Sequence, residues 1–124
     1  MLLLMPKVIL DANALLMPFQ FGINLDAEVS RLLGDCEMIV PSAVKYELRK
    51  LAIENRAAKA GLKLSEKFQT VRTKGTGDES VIEAALALKA VVVTNDASLL
   101  KRLKELGIPR IRLRSHSHLV LEGF

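Results

Sequence analysis

The chain reads as an α/β fold, a three-layer sandwich with a mainly parallel central sheet. Three observations predict it. Short apolar runs of strand length recur at Lys7–Leu10, Met38–Val40 and Val91–Val93. Stretches with helical spacing of apolar residues lie between them, and strands alternating with helices imply a parallel sheet covered on both faces. Half of the 124 residues are hydrophobic and only 4% aromatic, so a core of Leu, Ile, Val and Ala fits one domain over residues 1–124.

Lys7–Leu10 is continuously apolar after its lysine, as expected of a buried strand. Asp26–Leu33 has helical spacing, with Asp26 as a plausible N-cap and Gly34 just past the end. Met38–Val40 is the second strand. Pro41 and Ser42 open a long helix, with Ser42 as N-cap and Val44, Leu48, Leu51 and Ala52 at helical spacing. Helical pattern resumes from Gly61 to Phe68. Lys74–Gly77 reads as the most flexible interior stretch, and Asp78–Leu88 as a strong helix. Val91–Val93 is a short buried strand. Asp96–Leu106 is a helix stopped by Gly107 and Pro109, and Arg110–Leu113 is a last strand of alternating character. The tail Arg114–Phe124 is less regular. No internal repeat or low-complexity segment stands out.

The single cysteine, Cys36, excludes an internal disulfide framework, which suits a reducing compartment. Cys36 reads as a small buried hydrophobe, with no neighbour to lower its pKa. The run Met1-Leu2-Leu3-Leu4-Met5 is too short to span a membrane and lacks the basic start of a signal peptide. A cytoplasmic location with no membrane partner is expected. The net charge is +4. Basic residues concentrate between Lys45 and Lys74, notably Lys45, Arg49, Lys50, Arg56 and Lys74, and again from Lys101 to Arg114. Such stretches are often solvated helix faces; beside an acidic pocket they suit a polyanion cut at its backbone.

Four acidic residues carry the chemistry. Asp11 ends the first strand, Glu47 follows the second, Asp78 opens a helix, and Asp96 follows the run Val91–Val93. In an open α/β sheet, ligands bind outside the carboxyl ends of the strands. Carboxylates brought together there repel, and a hard divalent cation with oxygen ligands relieves the repulsion. Each has a plainer reading. Asp78 and Asp96 suit helix N-caps, and Glu47 suits a solvated flank. Asp11 is harder to dismiss, because a carboxylate directly after a buried strand is costly unless paired. Asp26 and Glu79 are weaker candidates. Asn13 and Thr94 could orient a carboxylate or a metal-bound water, or simply stabilise turns. His116 and His118 would share one face of an extended tail, but two ligands do not make a zinc site. No Gly-rich phosphate loop is present, since Gly75-Thr76-Gly77 matches neither known pattern.

The segments Val8–Asn13, Val40–Leu48, Gly77–Ile82 and Val93–Leu99 resemble, in order and spacing, the motif blocks of PIN-domain ribonucleases. Thr94-Asn95-Asp96 is the most specific of these. The resemblance implies metal-binding, catalytic carboxylates at Asp11, Glu47, Asp78 and Asp96, supported by Asn13 and Thr94. It implies an endoribonuclease using Mg²⁺ or Mn²⁺ to activate water against a phosphodiester, two ions about 3.5–4 Å apart being the fuller form. Lys45, Arg49, Lys50, Arg56, Lys74 and Arg114 would hold the RNA backbone. With few aromatics, base stacking is expected to be a minor term. The runs Met17–Gly22 and Ile108–Ile111 are similar to the archaeal ribosomal-RNA-processing branch of PIN domains. A ribosomal RNA precursor is then the expected substrate, with room for a protein partner, an antitoxin or a homodimer. The chain looks less like the toxin branch of toxin–antitoxin pairs. It departs from the family at Ala12, where a small hydroxyl residue is common, and at Glu79, where that branch often has Asp. The competing classes are a non-catalytic RNA-binding PIN module and a small-molecule phosphohydrolase. The retained carboxylates count against the first and the basic stretches against the second.

Overall fold

The structure, a computed structural model, describes residues 5–124; the Met1–Leu4 part of the apolar N-terminal run lies outside them. Lys7–Leu10 forms β1, with Val8, Ile9 and Leu10 completely buried. It leads through Asp11 into α1 (Ala12–Phe21), a helix that local patterning does not predict. Pro18 inside it removes a backbone donor and argues against a helix. Tertiary burial of Ala14, Leu15 and Met17, the Asp11 cap and the left-handed Gly22 at the C-terminus prevail.

The next helix, α2 (Leu25–Leu33), starts one residue before Asp26. Its N-cap is Asn24, whose side chain accepts from Ala27 N, and Asp26 falls in the first turn. Strand β2 (Glu37–Pro41) runs into α3 (Ser42–Leu51). Pro41 occupies the cap position without a side-chain bond; Ser42 is already helical, and its Oγ accepts from Thr73 N at 3.2 Å. Helix α4 (Arg56–Ser65) begins well before Gly61, capped by Asn55. Gly61 is interior because a Cβ there would lie 3.1 Å from the Leu15 carbonyl oxygen, so the glycine lets α4 approach α1 closely.

Strand β3 (Gln69–Val71) is short and polar enough to leave no periodic signal. Helix α5 (Gly77–Leu88), strand β4 (Val91–Val93) and helix α6 (Ala97–Glu105) lie close to the expected bounds. The tail is more ordered than expected. β5 (Arg110–Arg114) and β6 (His118–Glu122) form an antiparallel hairpin. Its turn places Ser115 and His116 at φ 53°, without the Asn-Gly or Asp-Gly signal that marks such turns. Helix α2 holds the new edge: Glu28 Oε1 accepts from Leu119 N at 2.8 Å and Arg31 donates to Leu119 O at 2.7 Å.

Among the described residues the strands form one six-stranded sheet in the order β3-β2-β1-β4-β5-β6, parallel except for β6. The fold is α/β, a mostly parallel sheet flanked by helices, and its core is aliphatic as composition predicts. The chain winds from β1 outward to β3, then returns to lay β4 on the other side of β1. The carboxyl ends of β1 and β4 therefore border a topological switch point, where open α/β sheets leave a crevice. No helix among the described residues is long and apolar enough to cross a membrane.

Candidate functional site

At that crevice the structure gathers Asp11, Glu47, Asp78 and Asp96 around one pocket of about 100 Å³. Each arrives by a different route. Asp11 is the residue after β1, Glu47 lies one turn into α3, Asp78 is the second residue of α5, and Asp96 caps α6. Asn13 lines the same pocket from the first turn of α1, and Val44 and Val81 supply its apolar wall.

Helix capping coexists with this arrangement rather than replacing it, at Asp96 as the sequence suggests and also at Asp11. Asp11 Oδ1 accepts from Ala14 N at 2.8 Å, and Asp96 Oδ1 accepts from Leu99 N at 2.9 Å. Thr76, not Asp78, occupies the cap position of α5, so Asp78 sits in the first helical turn, where the helix dipole favours a carboxylate.

Thr94 is fully buried and joins the two central aspartates. Its hydroxyl donates to Asp11 Oδ2, and its Oγ1 accepts from Asp96 N at 3.1 Å. This answers the cost of burying Asp11 only in part. Burial still pushes the Asp11 carboxyl up to about 7; the Thr94 and Ala14 hydrogen bonds work against that, and the carboxylates of Asp78 and Asp96 add to it. Asp78 is also raised, first by burial and then by Asp96, against the pull of Arg102. Asp96 is lowered, first by the Leu99 N–H and then by the Ser98 hydroxyl. The pocket thus combines carboxyls biased toward protonation with one biased toward ionisation.

All the acidic donors are hard oxygens. Among the described residues no three acidic, His or Cys side chains converge tightly enough to enclose an ion by themselves. Mg²⁺ does not require that, since it keeps several waters and is held through one or two carboxylates. The donor set therefore fits a hydrated hard cation better than a fully protein-enclosed one.

The weaker candidates sit elsewhere. Glu79 pairs with Arg102 at 2.7 Å, and Asp26 pairs with Lys67 at 2.8 Å. His116 and His118 do not share a face of an extended strand. His116 stands in the hairpin turn, stacked on Phe21 with ring centroids 4.7 Å apart, and His118 begins β6. Cys36 is half-buried, and burial, then Asp26 and Asp35, push its thiol up, away from nucleophile character. Of the basic residues, Arg49, Lys50, Arg56, Lys74 and Arg114 are exposed and Lys45 is half-buried.

Sequence reasoning missed Glu83. Its carboxylate accepts from Lys74 N at 3.0 Å and Gly75 N at 2.9 Å, tying down the stretch expected to be flexible and setting the approach to Asp78. A carboxylate nearly two turns past the start of a helix, reaching back to a preceding Gly loop, was the available signal. Ser98 was missed too; its hydroxyl donates to Asp96 Oδ1 at 2.9 Å.

Known proteins agree with this frame. The family model described as a PIN like domain matches residues 8–116. Ribonuclease VapC9 of Archaeoglobus fulgidus is 32% identical over 119 residues, 92% of this chain and 87% of that protein. Ribonuclease VapC4 of Methanocaldococcus jannaschii is 29% identical, over 96% of this chain and 98% of that protein. A solved structure of the PIN domain endonuclease Utp24 superposes with a TM-score of 0.81 at 25% identity, covering 95% of this chain and 92% of that one. With its family match spanning all but the two ends, this chain belongs to the PIN-like domain family.

Proposed function

We propose that this chain, as a single domain over residues 1–124, is a divalent-metal-dependent endoribonuclease with Asp11, Glu47, Asp78 and Asp96 as its metal-binding, catalytic carboxylates. The observation that carries the reading is the convergence of these four on one pocket at the carboxyl edge of the sheet. The two VapC relatives bear the name ribonuclease, which supports RNA as the substrate. A bound Mg²⁺ or Mn²⁺ supplies a water of lowered pKa and stabilises charge on the phosphate being cut.

This chain's own residues set the rest. Thr94 holds Asp11 in one orientation through a buried hydrogen bond and ties it to the backbone at Asp96. The Ser98 and Leu99 bonds keep Asp96 ionised and ready for a cation. Asp11 gives up its proton near neutral pH, so cation binding there releases a proton. Asn13 offers a neutral polar group at the rim. The exposed Arg49, Lys50, Arg56, Lys74 and Arg114, with Lys45, would hold RNA phosphates.

Two finer readings remain, each with its own support. The runs Met17–Gly22 and Ile108–Ile111, similar to the ribosomal-RNA-processing branch, favour processing of a ribosomal RNA precursor, and the likeness to the endonuclease Utp24 over nearly the whole chain fits an endonuclease. The VapC relatives favour a toxin-type ribonuclease paired with an antitoxin. The experiment is cleavage of RNA by purified protein with Mn²⁺, with chelator, and after Asp11→Asn or Asp96→Asn. Wild type should cleave with metal and the variants should not. Equal cleavage by wild type and Asp11→Asn overturns the proposal. Mapping the cut sites in total cellular RNA then separates a single precursor site from a broad pattern.

A further inference from the structure

The acidic pocket has a neighbour. A second cavity of about 320 Å³ is lined by Ala43, Tyr46, Glu47, Lys50, Thr76 and Gly77, between α3 and the start of α5. Glu47 and Gly77 line both, so the two cavities adjoin. Tyr46 and Lys50 are four residues apart on α3 and share a face. The Lys50 ammonium stands 5.0 Å from the Tyr46 ring centroid, yet Tyr46 stays 60% exposed. Thr76 makes no side-chain capping bond, which leaves its hydroxyl for a ligand.

We infer that this cavity is a subsite for one unpaired nucleotide, its base stacked on Tyr46 and its phosphate held by Lys50, adjacent to the phosphodiester in the acidic pocket. An aromatic face beside a cation is the combination that binds single-stranded nucleic acid without sequence readout. A base inside a duplex is covered by its neighbours and cannot present its face. A cavity of this size, mostly apolar with a few polar groups, suits a ligand the size of a single nucleobase rather than a helix or strand. The low aromatic content of the chain makes stacking look minor; a lone tyrosine placed at the rim of the pocket makes it specific. The inference rests on the nuclease reading and adds the residues that hold the nucleotide beside the cut, Tyr46 and Lys50.

The chain has one Tyr and no Trp, so its intrinsic fluorescence reports Tyr46 alone. The test uses Asp11→Asn protein to prevent cleavage, with a short single-stranded RNA, the same RNA carrying abasic positions, and a duplex of equal charge. The ordinary strand should quench the tyrosine emission after inner-filter correction, while the abasic strand and the duplex should not. Loss of the bases should weaken binding about tenfold. Tyr46→Ala should remove that difference and Tyr46→Phe should keep it. Lys50→Ala should reduce the salt slope of binding by about one. Tyr46 is exposed, so neither change at this position disturbs the core. Equal affinity for ordinary and abasic strands overturns the subsite, as does unchanged base dependence in Tyr46→Ala. If Asp11-dependent cleavage persists in that case, the subsite falls and the nuclease reading stands. Absence of RNA binding and of cleavage by wild type overturns both.

Discussion

Asp11→Asn should make the metal-free protein more stable while removing its activity. The reason lies in the burial of Asp11, which raises its carboxyl from 3.8 to about 7. A shift of about three units at about 1.36 kcal/mol per unit gives an ionisation cost of about 4 kcal/mol once the group is charged in both states. The asparagine amide has the same shape and keeps Oδ1 as the acceptor for Ala14 N. It gives up the charge-assisted bond from Thr94, a loss of about 2 kcal/mol, so a net gain of about 2 kcal/mol is expected. The sign follows from proton linkage. Between 3.8 and about 7 the folded wild type holds a proton that the unfolded chain has lost. Its stability therefore falls as pH rises through that window and levels off above it. Asparagine has no such slope at this position. Urea unfolding of both proteins at several pH values from about 4 to about 8.5, in chelator, measures the difference. Equal stability at the alkaline end, or a difference that does not change with pH, would show that Asp11 is not destabilised by its buried charge.

Four further outcomes are expected. Mn²⁺ or Mg²⁺ at a hundredfold excess over Kd should stabilise the wild type by about 2.7 kcal/mol, and less so after Asp11→Asn or Asp96→Asn, read as a shift in melting temperature. Thr94→Val should raise the Asp11 pKa further, because the leading interaction that lowers it is removed; the pH–rate profile of cleavage should move to higher pH with the fold intact. Glu83→Ala should free the Lys74–Gly77 loop, seen as faster hydrogen exchange at the Lys74 and Gly75 amides and weaker metal binding. Replacing Arg49, Lys50 or Arg56 by Ala should weaken RNA binding for all sequences alike and flatten its salt dependence by about one unit for each phosphate left without its cation.

Local patterning accounts for the elements that sequence reasoning located well. Val8–Leu10 and Val91–Val93 are buried on both sides, so they lack alternation and stand out as apolar runs. Helix α5 carries Val81, Ile82, Ala84 and Ala85 on its buried side and was legible from their helical spacing. Helix α1 was hidden because Pro18 opposes a helix locally, and tertiary packing, chiefly against α4, together with the Asp11 and Gly22 caps offsets it. β3 and β6 were hidden because an edge strand needs no hydrophobic period of its own: β3 is held by its ladder to β2, and β6 by β5 and the side chains of Glu28 and Arg31.

By itself the sequence determined which residues could carry charge at strand ends, where the chain becomes helical around Asp78 and after Asp96, and that the core is aliphatic. Tertiary structure alone decided that β4 returns to the side of β1, because strand order depends on pairings far apart in the chain that leave no trace in local periodicity. That return brings Thr94 across to Asp11, 83 residues away in sequence, and closes the pocket around Asp78 and Glu47. It also decided the protonation of Asp11, since a pKa of about 7 comes from burial and neighbouring carboxylates, and both exist only once the sheet has formed.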